Sequence, residues 1–494
     1  MLLRRTAPSL LLVALLLAGC AVGPDYQSPQ PDLGDHFMGQ AAVQARQAPP
    51  GADPRVWWEG FHDPVLAQLV TRALDQNLDI AQAVARVSQS RAALGQANAA
   101  LLPSANVSGQ AARGRQSLET PQGRLLNATP DYNRNGSDYE LDLNAGWEID
   151  LFGGLRRDRE AAIASYQAAR AAADATRLAV AAQTADVYVT LRGLQTRLAI
   201  AQEQVQTRGR LLSTVQLQFD KGLAAELQVR QSEGALAEVR ATVPVLQDGL
   251  QAAVNALDVL LAQTPGTSRG LLATATPIPQ PPSIYATGTP ADMIRRRPDL
   301  IAAERQLAAS NARIGAAIAE YYPKFSLGAL LGTATTASGH LFNDSANQAQ
   351  GVLGLRWRLF DFGRIEADIA DARGRNAEAL AAYRLAVLRA SEDVENAFSA
   401  LVKREEQARY LDEGVAALTR ARVTSFTAYQ SGVVSLIEVL DADSALLRTR
   451  DASVLARTEA ARAAIASYRA LGGGWEGPAA VDALARPSPL APAG

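Results

Sequence analysis

The stretch Tyr139–Asp150, YELDLNAGWEID, decides the fold of this chain. Apolar and polar residues alternate along it, and successive side chains of a strand point to opposite faces. The pattern therefore predicts a strand with two different faces. One face is apolar and is bracketed by Tyr139 and Trp147, whereas the other is polar and carries four carboxylates. A soluble β-sandwich with a wet outer face would also fit the alternation.

The carboxylates and the two aromatic residues favour a second interpretation, a strand of a transmembrane β-barrel. Such a strand needs about 9–11 residues, lipid-facing side chains on one face, aromatic residues at the membrane interfaces and a polar face toward the lumen. A later stretch, residues 353–359, alternates in the same way. The charged residues that we expect in the barrel lumen are Glu140, Asp142, Glu148, Arg356 and Arg358.

Composition argues against several functions. The 494 residues carry 48 basic and 50 acidic side chains, so nothing indicates nucleic-acid binding. Aromatic residues make up only 5% of the chain, while alanine, leucine, glutamine and arginine fill long stretches, which is typical of long helices. The three histidines have no metal-ligand spacing, and the GxSxG, GxxxxGK[ST] and HExxH motifs are absent. We expect no enzymatic activity, no metal and no organic cofactor.

The N-terminus has the layout of a secretory signal. Arg4 and Arg5 precede an apolar run that is too short to span a bilayer comfortably and that ends in Leu-Ala-Gly before Cys20, the one cysteine of the sequence. Small residues before a lone cysteine resemble the lipobox of bacterial lipoproteins, which implies a signal at 1–19 and a covalent lipid on Cys20. Ala21 is not the aspartate associated with inner-membrane retention, so the resemblance implies the outer membrane. A weak membrane anchor with an incidental cysteine is the alternative.

The rest of the chain repeats one pattern twice. Asp79, Gly95 and Pro103 recur as Asp299, Gly315 and Pro323, at an offset of about 220 residues. Trp147, Phe152, Gly153 and Gly222 recur as Trp357, Phe362, Gly363 and Gly432, at an offset of about 210. The chain is therefore a tandem duplication of helix, strand, loop, strand, long helix, turn and helix.

The duplication sets the expected boundaries. Residues 20–56 read as a lipidated tether, 263–290 as an equatorial connector and 472–494 as a C-terminal tail. The first repeat, 57–262, should contain a helix up to Leu102, strands at about 104–113 and 138–151, and long helices at 155–219 and 223–262. The second repeat, 291–471, should contain a helix, strands at about 324–335 and 351–361, and long helices at 364–430 and 433–471.

One chain cannot form a barrel alone. A lipid-embedded sheet cannot leave an edge open, because unpaired backbone groups in hydrocarbon cost several kcal/mol each. Each chain has four strands, and about eight strands barely enclose their own side chains. Three chains would give twelve strands and leave a pore. We therefore predict an α+β membrane protein that is a homotrimer with a twelve-stranded barrel, whose long helices form a tube continuous with the barrel. A soluble coiled coil would account for the helices alone but not for the hairpins.

Three segments of the sequence resemble a known family. Residues 293–300, MIRRRPDL, followed by Ala303 and Glu304, resemble the RRPD…AE signature of bacterial outer-membrane efflux proteins of the TolC/OprM type. Residues 57–66 are similar to the N-terminal motif of this family, and residues 357–363 to its strand-to-helix junction. The resemblance covers about 57–471 and is closest to the NodT-like lipoprotein branch of RND-type tripartite systems. It implies a trimer with a twelve-stranded barrel, a long periplasmic α-helical barrel and a mixed equatorial belt.

The resemblance also places a periplasmic gate just after the second helix turn. The two gate-ring carboxylates of the family fall on Glu438 and Asp441, whose i, i+3 spacing puts them on one face of a helix. In a trimer, six carboxylates would favour cations, and their mutual repulsion could help the gate to open. The alternative is a pair of solvated acids on a helix surface.

Tyr429 matches a tyrosine that the family uses in a hydrogen bond locking the closed tip. The usual acidic partner falls on Gln228, and a usual basic residue falls on Val434. We therefore expect a closed tip that is held by different bonds.

The function implied by the resemblance is a passive export duct in the outer membrane. It would carry drugs or other small molecules and would open when a periplasmic adaptor (membrane fusion) protein and an inner-membrane RND-type pump dock. The alternatives are a porin, the exit duct of type I protein secretion, and a structural periplasmic coiled-coil lipoprotein. The helix-turn tips that would meet the adaptor are Gly222 with Leu223 and Gly432 with Val433; a turn that only needs the positive φ of glycine is the alternative for both.

Overall fold

The computed structural model describes residues 21–30, 33–51, 53–284 and 289–474. The predicted signal, Cys20 and most of the C-terminal tail lie outside these residues. The strands are β1 (Ser104–Arg115), β2 (Asn135–Ile149), β3 (Lys324–Thr335) and β4 (Asn347–Arg356). The helices are α1 (Gln40–Gln44), α2 (Pro64–Gln76), α3 (Leu78–Ala99), α4 (Pro121–Asn127), α5 (Gly154–Asp220), α6 (Glu226–Leu260), α7 (Arg269–Leu272), α8 (Pro290–Arg296), α9 (Pro298–Ala319), α10 (Arg364–Gln430) and α11 (Leu436–Ala470).

The four long helices repeat with equal lengths. Helices α5 and α10 have 67 residues each, and the return helices α6 and α11 have 35 each. At 1.5 Å per residue, α5 and α10 are about 100 Å long. The ends of all four helices lie within about three residues of the sequence expectation, and a glycine turn marks the C-terminal ends of α5 and α10. Equal lengths in the same order support the tandem duplication.

The helix expected at the start of the first repeat is broken. It consists of a short 3-10 helix, Pro54–Phe61, followed by α2 and α3. The second break lies at Asn77, whose Oδ1 accepts hydrogen bonds from the backbone N–H groups of Asp79 at 2.8 Å and Ile80 at 3.2 Å. Its Nδ2 donates to the carbonyl of Leu260 at 2.9 Å. A contact with a distant helix end therefore stops the helix, and local sequence does not reveal it.

The N-terminal segment is not a free tether in its described part. The Val22 N–H donates to the Phe152 carbonyl at 3.1 Å, and Arg157 Nε donates to the Val22 carbonyl at 3.0 Å. Further along, the Gly39 N–H donates to Glu395 Oε2 at 3.0 Å. The composition, rich in proline, glutamine and glycine, suggested a tether because it shows no periodicity. The backbone and side-chain partners that fix the segment lie far away in sequence.

The sheet is antiparallel throughout, in the order β1-β2-β3-β4. Its register places mainly apolar side chains on one face and mainly polar side chains on the other. Across the sheet, Val107, Leu143 and Leu331 are direct neighbours, as are Trp147, Leu327 and Leu353, and all six side chains are exposed. The opposite face carries the row Ser108, Asp142, Gly332 and Gln348, with Leu330 and Val352 as apolar exceptions.

Strand β4 lies closer to the N-terminus than the expected 351–361. It begins at Asn347 and ends at Arg356, which pairs with Lys324, the first residue of β3. Beyond Arg356, β3 offers no partner, so Trp357 and Arg358 lie outside the strand in this chain. The shorter loop between β3 and β4 contains two single-turn 3-10 helices, Ser338–His340 and Asp344–Ala346.

The chain divides into two compact units. The first contains the described residues up to Pro29 together with Ser88–Ala168 and Ala303–Ala382, and it includes the sheet. The second contains Gln30–Val87, Ala169–Ala302 and the described residues from Tyr383 onward. Its core includes the fully buried Trp57, whose ring stacks on Tyr468 with centroids 5.4 Å apart. Within the described parts of the chain, no helix is apolar over a stretch that could traverse a bilayer.

Candidate functional site

The two helix-turn tips have the same backbone geometry. Gly222 and Gly432 both adopt a left-handed conformation, with φ of 76° and 72°. In each tip, the glycine N–H and the next N–H bond back to carbonyls of the last helical turn. Leu223 N–H donates to Gln218 O at 2.8 Å, and Val433 N–H donates to Ala428 O at 2.9 Å. This Schellman arrangement satisfies the free carbonyls of the helix end and requires glycine.

Each tip also presents one apolar side chain. Leu223 and Val433 follow the glycines, and both are 76% exposed. A single exposed apolar residue needs no explanation on its own. Here the same exposure recurs at equivalent positions of both repeats, at the turns of two helical hairpins. The predicted adaptor-contacting residues are therefore accessible and equivalent in the two repeats.

Behind the tips, a small hydrophobic cluster joins helices of both repeats. Its buried members are Leu211, Val215, Val229, Leu436 and Val439. Tyr429 packs against this cluster, and its hydroxyl donates to Gln218 Oε1 at 2.8 Å. Burial raises the pKa of Tyr429, so the phenol stays protonated and remains a donor.

The partner of Tyr429 is Gln218 and not Gln228, which occupies the position of the usual acidic partner in the family. The two glutamines lie on either side of the first tip. No local sequence signal indicates this partner, because Gln218 and Tyr429 lie 211 residues apart in the chain. The expectation of a tip held by a different bond agrees with this contact; whether the contact closes a channel stays a prediction.

Glu438 and Asp441 lie at the start of α11, and both are exposed. The Glu438 carboxylate accepts a hydrogen bond from the Ser435 N–H at 2.7 Å, which caps the helix N-terminus. The buried residues of this turn are Leu436 and Val439, which pack into the hydrophobic cluster instead. The two acids thus lie on a solvated face, with Glu438 partly engaged in capping.

Sequence reasoning missed an ion pair further along the same helices. Arg422 Nε on α10 donates to Asp443 Oδ1 on α11 at 3.0 Å, and the Asp443 side chain is 1% exposed. On α5, the buried Arg208 donates to the Ala235 carbonyl at 2.7 Å and to the Ser444 hydroxyl at 2.8 Å. Arg422, Asp443 and Arg208 looked like ordinary polar helix residues because their partners lie on other helices.

The expected lumen residues share one face of the sheet as far as β4 extends. Glu140, Asp142 and Glu148 alternate along β2, and the register places Arg356 on the same side. Asp142 is buried, and its Oδ1 accepts a hydrogen bond from Gln348 Nε2 at 2.8 Å across Gly332. Arg358 lies beyond the end of β4 and pairs with Glu320.

The two repeats end their hairpins with the same hydrogen bond. Trp147 Nε1 donates to the Leu101 carbonyl at 3.0 Å, and Trp357 Nε1 donates to the Tyr321 carbonyl, also at 3.0 Å. Among the residues that the structure describes, no group of three or more histidine, cysteine, aspartate or glutamate side chains could hold a metal ion. The features that stand out are thus a two-faced sheet and a pair of helix tips.

A sheet with one exposed apolar face and one polar face, joined to paired helices of this length, defines a channel protein of the bacterial outer membrane. Comparison with known proteins gives the family. The family model described as outer membrane efflux protein matches residues 69–263 and 289–473. The chain belongs to the outer membrane efflux protein family.

Individual relatives match over nearly their whole length. The chain is 30% identical to Nodulation protein T of Rhizobium leguminosarum bv. trifolii, over 94% of this chain and 96% of that protein. It is 31% identical to the pyoverdine export outer membrane protein OpmQ of Pseudomonas putida, over 94% and 97%. The solved structure of the outer-membrane channel OprN has a TM-score of 0.84 and 31% identity, covering 92% of this chain and 100% of that one.

These findings confirm the predicted class. The chain has the fold of the trimeric outer-membrane efflux channels, with four strands per chain and long helices. It is an efflux channel of the outer membrane that extends into the periplasm. The NodT-type branch named from the sequence is confirmed as well.

Proposed function

We propose that this channel is a passive duct, closed at its helix-turn tips by a gate that includes Glu438 and Asp441. It opens when a periplasmic adaptor and an inner-membrane RND-type pump dock, and it performs no chemistry on the small molecules that it carries. The relatives support an efflux role, since they include an export protein of this length.

The observation that carries the gate is a comparison between the two repeats. In the first repeat, Gln228 Oε1 accepts the Ala225 N–H at 3.1 Å, at the position where Glu438 accepts the Ser435 N–H in the second. A neutral amide therefore suffices for the cap. The negative charge of Glu438 is not needed for capping, and Asp441 adds a second charge that has no counterpart at Gln231. Only the second repeat brings carboxylates to this face of its tip.

Docking of an adaptor is supported by the equivalence of the two tips. Leu223 and Val433 are equally exposed on equivalent turns, so a trimer presents six similar apolar contact points. An adaptor that binds one tip can therefore bind the other with the same kind of surface. Rigid Schellman turns suit such docking, because little backbone freedom is lost on binding.

A lipid on Cys20 would be held near the base of the sheet. The first described residues, Ala21 and Val22, lie against the junction of β2 and α5, where the Val22 N–H bonds to the Phe152 carbonyl. This junction follows the last residue of β2, Ile149, and so marks one end of the sheet. An acylated N-terminus attached here would enter the same membrane as the strands.

The test is conductance in planar bilayers with the double variant Glu438→Gln/Asp441→Asn. Glutamine at 438 keeps a cap acceptor, as Gln228 does in the first repeat, so the helix start should stay intact. We expect reduced cation selectivity and a smaller open fraction, because the carboxylate ring and the mutual repulsion that favours opening are both lost. Glu226→Gln, at an exposed glutamate in the first turn of α6, is the matched control and should change neither. Wild-type currents from a trimeric double variant would place the gate elsewhere.

A further inference from the structure

The sheet of one chain has two long free edges. Strand β1 has 12 residues and β4 has 10, and each pairs with a neighbour on one side only. A free edge within a membrane is not tolerated, so in the trimeric channel β4 of one chain must pair with β1 of the next. The strand order alone does not say which residues of β4 face which residues of β1 in the neighbouring chain.

The internal repeat supplies the register. Adding 220 to each residue number of β1 and 210 to each residue number of β2 should convert the residue pairs of the first hairpin into those of the second. The observed pair Val107 and Leu143 becomes Leu327 and Leu353, which is an observed pair of β3 and β4. The pair Ser104 and Gly146 becomes Lys324 and Arg356, which is also observed. The two hairpins therefore have the same register, residue for residue.

We propose that the contact between chains repeats the contact between β2 and β3 within a chain, with the same register. Leu143 faces Leu331 in the chain, so Leu353 faces Ala111 of the partner subunit. Ala145 faces Ala329, so Leu355 faces Gly109 of the partner subunit. This pairing keeps apolar residues on the exposed apolar face on both sides of the boundary. The inference rests on the trimeric channel and adds the residues that join its chains.

The register accounts for the end of β4. In β2, the last residues, Trp147 to Ile149, pair only with β3, because β1 begins opposite Gly146. Their counterparts are residues 357–359, which have no partner on β3. In the proposed register these residues pair with residues 105–107 of the partner subunit. The alternation of residues 353–359 in the sequence therefore belongs to a strand that is completed by the next chain.

The same transformation predicts a contact below the strands. Within the chain, the Phe152 ring stacks on Tyr322, with centroids 4.6 Å apart. The counterparts are Phe362 and Leu102, which are 99% and 64% exposed in the single chain. In the trimer, Phe362 packs on Leu102 of the partner subunit. Each of these two exposed side chains is then covered by the other across the boundary between subunits.

Disulfide cross-linking tests the register with four double variants. Leu353→Cys and Leu355→Cys are each combined with Ala111→Cys and with Gly109→Cys. Directly opposite residues have Cα atoms about 4.5–5.5 Å apart, within disulfide reach, whereas diagonal neighbours are about 7–8 Å apart. Within one chain, β1 and β4 are separated by three strand spacings, about 14 Å, so a bond inside the chain is excluded.

We expect covalent dimers and trimers on non-reducing gels from 353 with 111 and from 355 with 109, several-fold faster than from the two exchanged combinations. Since each cysteine occurs in one matched and one mismatched variant, differences in reactivity cancel. The pair Leu143→Cys/Leu331→Cys is the control and should form a disulfide within the monomer. Faster cross-linking of the exchanged combinations, or none while the control pair reacts, would overturn the register.

A separate measurement distinguishes the register from the proposed function. Mass in detergent reports the trimer: a trimer without the expected disulfides contradicts the register alone, whereas a monomer contradicts the channel itself. Phe362→Ala should lower the temperature at which the trimer dissociates in detergent. Phe342→Ala, at an 80% exposed phenylalanine in the loop between β3 and β4, should leave it unchanged. Equal dissociation temperatures for both variants would refute the contact between Phe362 and Leu102 of the partner subunit.

Discussion

Removing one hydroxyl group at Tyr429 should loosen the tip. The hydroxyl donates to Gln218 at 2.8 Å, and phenylalanine at this position would keep the packing of the ring against the hydrophobic cluster. A neutral hydrogen bond contributes about 1 kcal/mol to stability. Three copies in a trimer that opens in one step contribute about 3 kcal/mol, which corresponds to a shift of the closed-to-open equilibrium on the order of 100-fold.

The assay is the open fraction of single channels in planar bilayers. Gln218→Leu should have an effect similar to that of Tyr429→Phe, and the double variant should add little, since both changes remove the same bond. Tyr410→Phe is the matched control, because Tyr410 is an exposed tyrosine on the same helix. If both single variants remain trimeric and keep the wild-type open fraction, the bond does not hold the tip closed and the reasoning is refuted.

Three further predictions follow from the same geometry. Burial raises the pKa of Tyr429, so its bond should persist from about pH 5 to 9 and be lost only as the pH rises through the raised pKa, which conductance at stepped pH would show. Gly432→Ala should destabilise the protein by about 1 kcal/mol, because φ is positive at this residue. Gly209→Ala lies inside α5 with open space around it and should stabilise the protein by about 0.5–1 kcal/mol. Thermal unfolding in detergent measures both changes. Gly332→Ala should lower the yield of heat-resistant trimer, because its Cβ would lie 2.0 Å from a carboxylate oxygen of the facing strand, whereas Gly351→Ala meets nothing within 4 Å and should not.

The long helices were predictable because their signals are local. Periodic apolar residues define each helix, and Gly222 and Gly432 end α5 and α10 in both repeats. The strands of the first hairpin were also predictable, since alternation with a period of two needs no tertiary context. Positions whose conformation depends on a distant partner were not. Asn77, for example, interrupts a helix while its side chain donates a hydrogen bond to the carbonyl of Leu260, 183 residues away.

The candidate site shows the same division. The tips and the position of Tyr429 came from local sequence and family resemblance, but the partner Gln218 lies 211 residues from Tyr429 in the chain. The end of β4 was overestimated at 361 for a related reason. The alternation up to Leu359 is real, but the strand that would pair with it belongs to another chain in the proposed register. Sequence reports the tendency of a segment, and the partner decides whether the segment is ordered as a strand.

The two repeats meet one structural requirement with different side chains. The last residues of the return helices, Leu260 and Ala470, each have a carbonyl without a helical partner. Asn77 donates to the first carbonyl at 2.9 Å, and Arg297, at the equivalent position, donates to the second at 3.2 Å.

Arg297 differs from Asn77 in carrying a charge, which Asp299 and Asp393 neutralise at 2.7 and 3.2 Å. The arginine of the RRPD signature therefore acts first as a helix cap, and the aspartate of the same signature is its counter-ion. Because a buried guanidinium needs such partners and an amide does not, the aspartate is tied to the arginine by charge. In the first repeat, Asp79 has the equivalent position but donates its N–H to Asn77 instead. The duplication thus retains the backbone contact, while the chemistry that makes the contact has changed in one copy.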